Sequence, residues 1–338
     1  MKNMKKYILI LLALALTFSG CEAFLIPPDS GSSQTAIFDE AWHFADRHYT
    51  FFDYKGIDWD DARARYEPLV NDSISDDSLF NVLAAMLYEL RDGHVNLASD
   101  FNVSRNARWY LDSPPNFDAD LLERSYFREE EEYAGPFVLY DFGDVGYVRY
   151  SSFLNTITWS NLNYLMQRFG DREGWIIDIR NNGGGSLLNA YTFAELFTAD
   201  TVAFGQMQVK NGPNHADLSA PMEELIQPDP EDTTFTKPLV LLTNRSSYSA
   251  SNTFTLMMQS LPQVTMIGDT TGGGGGAPAD TELANGWILR VSGTVLRDPS
   301  GFNVENGIPP DEGVTLTQAD EAAGVDPIIE RALQILRE

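Results

Sequence analysis

Two stretches fix most of what this chain can fold into: WIIDIRNNGGGSLLNAY, residues 175–191, and LVLLTNRSSYSASNTFTLMM, residues 239–258. In each, a short apolar run passes through a polar turn into an apolar-faced helix. A run that short, without polar alternation, suits a strand covered on both faces. Strands that feed helices imply crossovers, and crossovers build parallel sheets. VTMIGD at 264–269 supplies another such strand, and NTITWSNLNYLMQRF at 155–169 another helix. PFVLYDF and VGYVRYSSF predict a hairpin that turns near Gly143-Asp144, and GWILRVSGTVLRD holds further strands. GVDPIIERALQIL closes the chain as a helix capped by Asp326, with Pro327 at its first position. The expected fold class is mixed α/β: an N-terminal helical bundle packed on a partly parallel sheet core with flanking helices.

The bundle is expected at residues 35–94 and the core at 95–338. Phe38, Trp42, Ala45 and Tyr49 can share one helical face. A second helix is expected from Asp60 or Asp61. A third carries Leu79, Val82, Leu83, Met86, Leu87 and Leu90, with Asp76, Asp77 or Ser78 as its cap. Gly93 is expected to stop it in the left-handed conformation. Residues 95–135 show no clear pattern, and their REEEE run reads as solvated surface.

The first 20 residues combine lysines, an apolar run and small residues, the plan of a secretory leader. The apolar run is too short to read as a membrane span. Cys21 is the only cysteine, so no intrachain disulfide can form. Following Phe18-Ser19-Gly20, it resembles a bacterial lipoprotein site, with Cys21 as the lipidated first residue of the mature chain. A plain signal peptide is the alternative. Residues 21–34 then read as a tether, rich in Pro, Ser and Gly. Glu22, rather than aspartate, favours the outer membrane. A formal charge of −26 argues against nucleic acid, whose phosphates need clustered cations.

The two turns are where chemistry can sit. Arg180-Asn181-Asn182-Gly183-Gly184-Gly185 lets backbone amides gather ahead of a helix, a place that suits an anion. It lacks the spacing of a dinucleotide loop and the lysine of a P-loop. Ser249 stands at the start of the other helix. Serine there is often only an N-cap; a nucleophile needs a base beside it. Of the four histidines, His43 and His48 belong to the first amphipathic helix and His215 to a polar loop. His94, held between turns, is the remaining candidate. No His-x-x-x-His or Cys/His cluster suggests a metal, and no cofactor is expected.

GWIIDIRNNGGG, followed later by SASN on a strand-to-helix turn, resembles the tail-specific or C-terminal processing serine peptidases. GYVRYSSF, LRDGHVNL and ENGIPPD fit the same resemblance, which runs from residue 35 to 335. It implies a peptidase core of the ClpP/crotonase type with the nucleophile at a helix start. The family's lysine base would fall near Gly274, and no lysine follows Lys237. The tricorn-like plan fits instead: Ser249 as nucleophile, His94 as base, Glu305 orienting the imidazole directly or indirectly, and the amides of Gly184 and Ala250 receiving the oxyanion. Gly93 stands where the tricorn core protease has a serine, and Asn252 where a glutamate is common. The run Gly272–Gly276 would flank the cleft as a flexible wall or be a disordered surface loop. The stretch after His94 is too short for a PDZ module. The expected function is a lipid-anchored serine endopeptidase of the cell envelope, acting on peptides or unfolded proteins. A catalytically weak binding protein on the same fold is the alternative.

Overall fold

In the computed structural model, residues 33–107, 110–111, 113–127, 132–228 and 233–338 are described. The leader, Cys21 and nearly all of the tether lie outside the described residues, as does the REEEE run apart from Glu132.

Four helices come first: α1 (Gln34–His48), α2 (Phe52–Lys55), α3 (Trp59–Tyr66) and α4 (Asp76–Tyr88). Ser33 caps α1 by accepting from the Ala36 amide, and Asp58 caps α3 by accepting from Asp61. Two details differ from expectation. Ser75 caps α4, accepting from Ser78 N–H. A residue one place earlier was available, with a hydroxyl and an extended backbone. The left-handed residue after α4 is Arg91, at φ 46°, and Gly93 has no positive φ.

Three sheets follow. Strands β1 (Asn96–Ala98) and β2 (Val103–Arg105) join β11 (Pro278–Glu282) and β12 (Ile288–Ser292) in the order β11-β12-β1-β2, all antiparallel. The large sheet has seven strands: β3 (Glu132–Ala134), β4 (Phe137–Asp141), β5 (Val145–Tyr150), β6 (Gly174–Asp178), β9 (Leu239–Thr243), β10 (Val264–Gly268) and β14 (Glu312–Gly313). From β5 through β6, β9 and β10 to β14 every pairing is parallel, while β3, β4 and β5 form antiparallel pairs. The third sheet is β13-β7-β8, built from β7 (Val202–Val209), β8 (Met222–Ile226) and β13 (Thr294–Arg297). The β7–β8 pair was not legible in sequence. Gly205 breaks the strand pattern, and the register shifts there between Ala203 and Gly205.

The remaining helices are α5 (Ala119–Ser125), α6 (Trp159–Phe169), α7 (Leu187–Glu195), α8 (Ala250–Gln259), α9 (Gln318–Ala323) and α10 (Pro327–Arg337). Strand residues alternate between two helix-covered faces, which is why these strands read as continuous apolar runs. Val148, Ile177 and Leu241 pack with α7 and α8, where Phe193 stacks on Phe254 at 5.1 Å. Tyr147, Ile176 and Val240 pack with Ile328, Ile329 and Leu333 of α10. The core of the helical front end continues past residue 94 into Leu97, Leu289 and Val291 of the four-stranded sheet.

One buried ion network fixes the end of β6. Arg180 donates to Asp178 Oδ2 at 2.6 Å and to Asp326 Oδ2 at 2.8 Å, and all three residues are fully buried. Asp326 uses its other oxygen to cap α10, accepting from Ile328 N–H at 2.9 Å. Removing one member of such a network strands the others without compensation. Arg180→Met is expected to lower the unfolding free energy by about 3–5 kcal/mol, read by urea denaturation. Arg337→Ala, which breaks the exposed pair with Asp144, should leave the midpoint unchanged.

Candidate active site

Ser249 sits between β9 and α8 with φ 59° and ψ −119°. Such a conformation costs a non-glycine residue about 1–3 kcal/mol. The surrounding bonds hold it: Ser249 N–H donates to Gly273 O at 2.9 Å, and Tyr248 N–H donates to Asn182 O at 3.1 Å. Ser247 Oγ donates to Ile179 O at 2.9 Å. The Ser249 side chain does not cap α8. Its Oγ instead lies 2.9 Å from Nε2 of His94. The N-cap reading of this serine is therefore set aside by the geometry. A sharp strand-to-helix turn that lifts a hydroxyl clear of its helix is the arrangement a nucleophile needs.

His94 is presented by a turn tied at both ends. Asp92 Oδ1 accepts from the His94 amide at 2.8 Å, and Asp92 Oδ2 accepts from Ser292 Oγ at 2.8 Å. Asn96 Nδ2 donates to His94 O at 2.7 Å. The buried Nδ1 makes no hydrogen bond of normal geometry, although the Gly276 carbonyl lies close enough to favour the protonated ring. Burial lowers the imidazole's pKa from its ordinary value, and the Asp92 charge opposes that shift. The other histidines lie elsewhere: His215 meets Asp46 at 2.8 Å and stacks on Phe52, His43 packs edge-on against Trp42, and His48 is exposed.

Glu305 lies in the short turn Val304–Asn306 and is fully buried. It does not hydrogen-bond to the imidazole. Oε2 accepts from Gly275 N–H at 3.0 Å, and Oε1 accepts from Lys55 Nζ at 2.8 Å. Burial and the nearby Asp92 charge push its pKa up to about 8, while Lys55 pulls it down. Lys55 also lies 3.7 Å from Asp92 Oδ2, with its own side chain only 2% exposed. Asp92 is held below the ordinary range: burial raises it, and Lys55 with the His94 amide and Ser292 outweighs that. The expected serine–histidine–glutamate set is thus assembled with an intervening lysine and aspartate.

Sequence reasoning missed that lysine. It stands alone in FDYKG, with no motif to mark it. It also missed Asn181, Asn182 and Asn244, which stitch the two turns together. Asn181 N–H donates to Asn244 Oδ1 at 2.9 Å, and Asn244 Nδ2 returns a bond to Asn181 Oδ1 at 2.8 Å.

The two expected oxyanion donors are adjacent but not equivalent. A Cβ on Gly184 would come within 2.8 Å of Ser249 Cβ and 2.9 Å of the Ala250 nitrogen. At φ +94° the position takes glycine on conformational grounds as well. The Ala250 amide opens α8, so it has no intrahelical acceptor. The Gly184 amide already donates to Asn182 Oδ1 at 3.0 Å. It can serve an oxyanion only by sharing or exchanging that bond.

The glycine run is neither loose nor disordered. Gly272 N–H donates to Ser247 O at 2.8 Å and Gly274 N–H to Glu305 O at 2.9 Å. A Cβ on Gly273 would fall 1.9 Å from Glu305 O. The run is a pinned wall joining the Ser249 turn to Glu305, which corrects the expectation of a flexible one. The two departures from the tricorn pattern are also accounted for. The space above Gly93 is filled, with a notional Cβ 2.8 Å from Tyr248 Oη and 2.7 Å from the Tyr110 ring. Asn252 accepts from Thr271 Oγ1 at 2.6 Å and donates to Val304 O at 3.1 Å, tying α8 to the Glu305 turn.

Ser249 and His94 open onto a cleft of about 790 Å³. Strands β7 and β13 with α7 and α8 contribute Phe204, Met207, Leu296, Tyr191 and Thr253 to its lining. Strands β2 and β12 contribute Arg105 and Arg290. Among the described residues no group of three or more His, Cys, Asp or Glu is placed to hold a metal ion.

Comparison with known proteins identifies the family. The model of peptidase family S41 matches residues 144–314, and that of the tricorn protease C1 domain matches residues 33–88. The crystal structure of a Parabacteroides merdae protein assigned as a peptidase superposes with a TM-score of 0.85 at 39% identity. That match covers 90% of this chain and 97% of the other. The carboxy-terminal-processing protease of Bartonella bacilliformis is 27% identical over 191 residues, 54% of this chain and 42% of that protein. The tricorn protease of Thermoplasma volcanium is 27% identical over 175 residues, 49% of this chain and 15% of that protein. The chain therefore spans less than half the length of either protease. On the family match over half its length, and on the 39% identity maintained across nearly the whole Parabacteroides structure, the chain belongs to peptidase family S41.

Proposed function

We propose that the chain is a serine endopeptidase that cleaves peptides or unfolded proteins through an acyl-enzyme. The observation that carries this reading is the 2.9 Å approach of Ser249 Oγ to His94 Nε2 from a strained turn where the hydroxyl does no capping. In the first step Ser249 Oγ attacks the scissile carbonyl while His94 Nε2 takes its proton. The carbonyl oxygen, now an oxyanion, turns to the amides of Ala250 and Gly184. Each such donor contributes about 10²–10³ to turnover. His94 then passes the proton to the departing amine, leaving an ester on Ser249. Water, deprotonated by the same imidazole, hydrolyses that ester and restores both residues.

We further propose that the chain is exported and anchored by a lipid on Cys21, in the outer membrane. Support for this comes from the sequence of the leader and the Glu22 that follows the cysteine. Among the described residues no helix is long and apolar enough to cross a membrane.

Ser249→Ala should abolish covalent labelling by a fluorophosphonate and hydrolysis of an unfolded protein such as casein. His94→Ala should slow labelling by about 10²–10⁴-fold. A wild-type chain that binds peptides yet never labels would favour the binding-protein alternative. The pH dependence follows from the lowered His94 pKa. The base works only when neutral, so burial extends activity downward in pH. The acid limb of kcat/KM should have its midpoint below 6.5, the ordinary histidine value. For the anchor, intact-mass measurement of detergent-extracted protein should show a lipid adduct on Cys21, and Cys21→Ser should move the protein out of the membrane fraction.

A further inference from the structure

Lys55 comes from α2, far in sequence from the catalytic turns, yet its ammonium ends among the groups behind His94. It donates to Glu305 Oε1 at 2.8 Å and to Arg91 O at 3.0 Å, and lies 3.7 Å from Asp92 Oδ2. The rings of Tyr49 and Phe51 stand 5.6 and 5.3 Å from it. Its side chain is 2% exposed, and both carboxylates are fully buried. A lysine is rarely placed this way for packing alone, because burying its charge is costly without compensation.

We propose that Lys55 is a positioning residue for the serine–histidine pair, its ammonium wedged between Glu305 and Asp92 so that both carboxylates keep their places behind the imidazole. This inference rests on the serine-peptidase reading and deepens it. Two buried carboxylates this close cannot both ionise without a cation between them. With Lys55 present Asp92 stays ionised near neutrality, and Glu305 adds a second negative charge beside His94 as its proton leaves at about pH 8. That charge favours the imidazolium formed when Ser249 gives up its proton. Asp92 passes the placement on, because it holds the His94 amide and the Ser292 hydroxyl together. The link from Glu305 to His94 therefore runs through an ammonium and a second carboxylate, with no direct contact between the two.

The titratable groups that face this cluster are Asp92 and His94 from the turn after α4, Tyr49 and Tyr54 from the first helices, Tyr248 from the Ser249 turn and Arg290 from β12. The tyrosines stay protonated near neutrality because their pKa values are raised, chiefly by burial. The group free to change charge just above neutral pH is Glu305.

The test is the rate of fluorophosphonate labelling against pH for wild type, Lys55→Met, Lys55→Arg, Glu305→Gln and the Lys55→Met/Glu305→Gln double variant, each with its melting temperature. In wild type the rate should rise a second time through about pH 8 as Glu305 loses its proton. Lys55→Met should slow labelling by about 10-fold or more near neutrality, the worth of one pKa unit, and move that second rise to higher pH. Lys55→Arg, which keeps the charge, should leave the rise where it is. Glu305→Gln should abolish the rise, and Lys55→Met should cost less in that background than alone.

A purely structural lysine would lower the melting temperature and leave the pH profile in place; that result overturns the proposal. So do wild-type kinetics in Lys55→Met, or costs that multiply independently in the double variant. A wild-type chain that never labels overturns the serine-peptidase reading itself, and the inference falls with it.

Discussion

The site depends on one pairing between distant parts of the chain. Asn96–Ala98, just after His94, runs antiparallel to Ile288–Ser292, with Asn96 opposite Arg290 and Ala98 opposite Ile288. Asp92 fastens the same two segments through Ser292, and Thr50 Oγ1 adds bonds to the carbonyls of Ser292 and Thr294. The front helices and these late strands share one core, with Phe80, Leu97, Trp287 and Leu289 in a single buried cluster. That pairing carries the turn that holds the imidazole toward the serine.

The other half of the site is held by redundancy among turns. The turns after β6 and β9 sit side by side at the ends of two parallel strands, the usual place for a ligand in an α/β sheet. Asparagines bind each turn to the other, and the glycine wall binds the second to Glu305. The strain at Ser249 persists because the amides of Ser247, Tyr248 and Ser249 are all committed to neighbouring carbonyls. The Arg180 network beneath does the same for the first turn, anchoring the end of β6 to the cap of α10. Among the described residues fully buried charge gathers at two places, and each fixes the end of a secondary-structure element.

Much of this was legible in sequence because it is local. Two-face burial wrote β6, β9 and β10 as plain apolar runs, and turn chemistry marked Ser249 and the Asn-Gly-Gly-Gly segment. The family resemblance supplied His94 and Glu305; the first lies 2.9 Å from Ser249, and the second meets Lys55 and Gly275 rather than the imidazole. What escaped is what depends on three-dimensional context. Lys55 looks like any surface lysine until Glu305 is folded against it. Gly93 looked like a helix stop, whereas it is small because Tyr248 and Tyr110 occupy the space a side chain would need. The glycine run looked mobile because glycine usually is, yet close contact with Glu305 and Tyr248 leaves its backbone no room. The β7–β8 pair was hidden by Gly205, which interrupts the alternation by which half-buried strands are read.

The meeting of His94 with Ser249 spans 155 positions along the chain, and Lys55 reaches Glu305 across 250. No early-emerging fragment can hold both members of either pair. While the polypeptide is being synthesised, the imidazole waits without its hydroxyl, and the hydroxyl turn, once made, waits for the wall that ends at Glu305. Neither contact can form until the late strands have folded back onto the front helices.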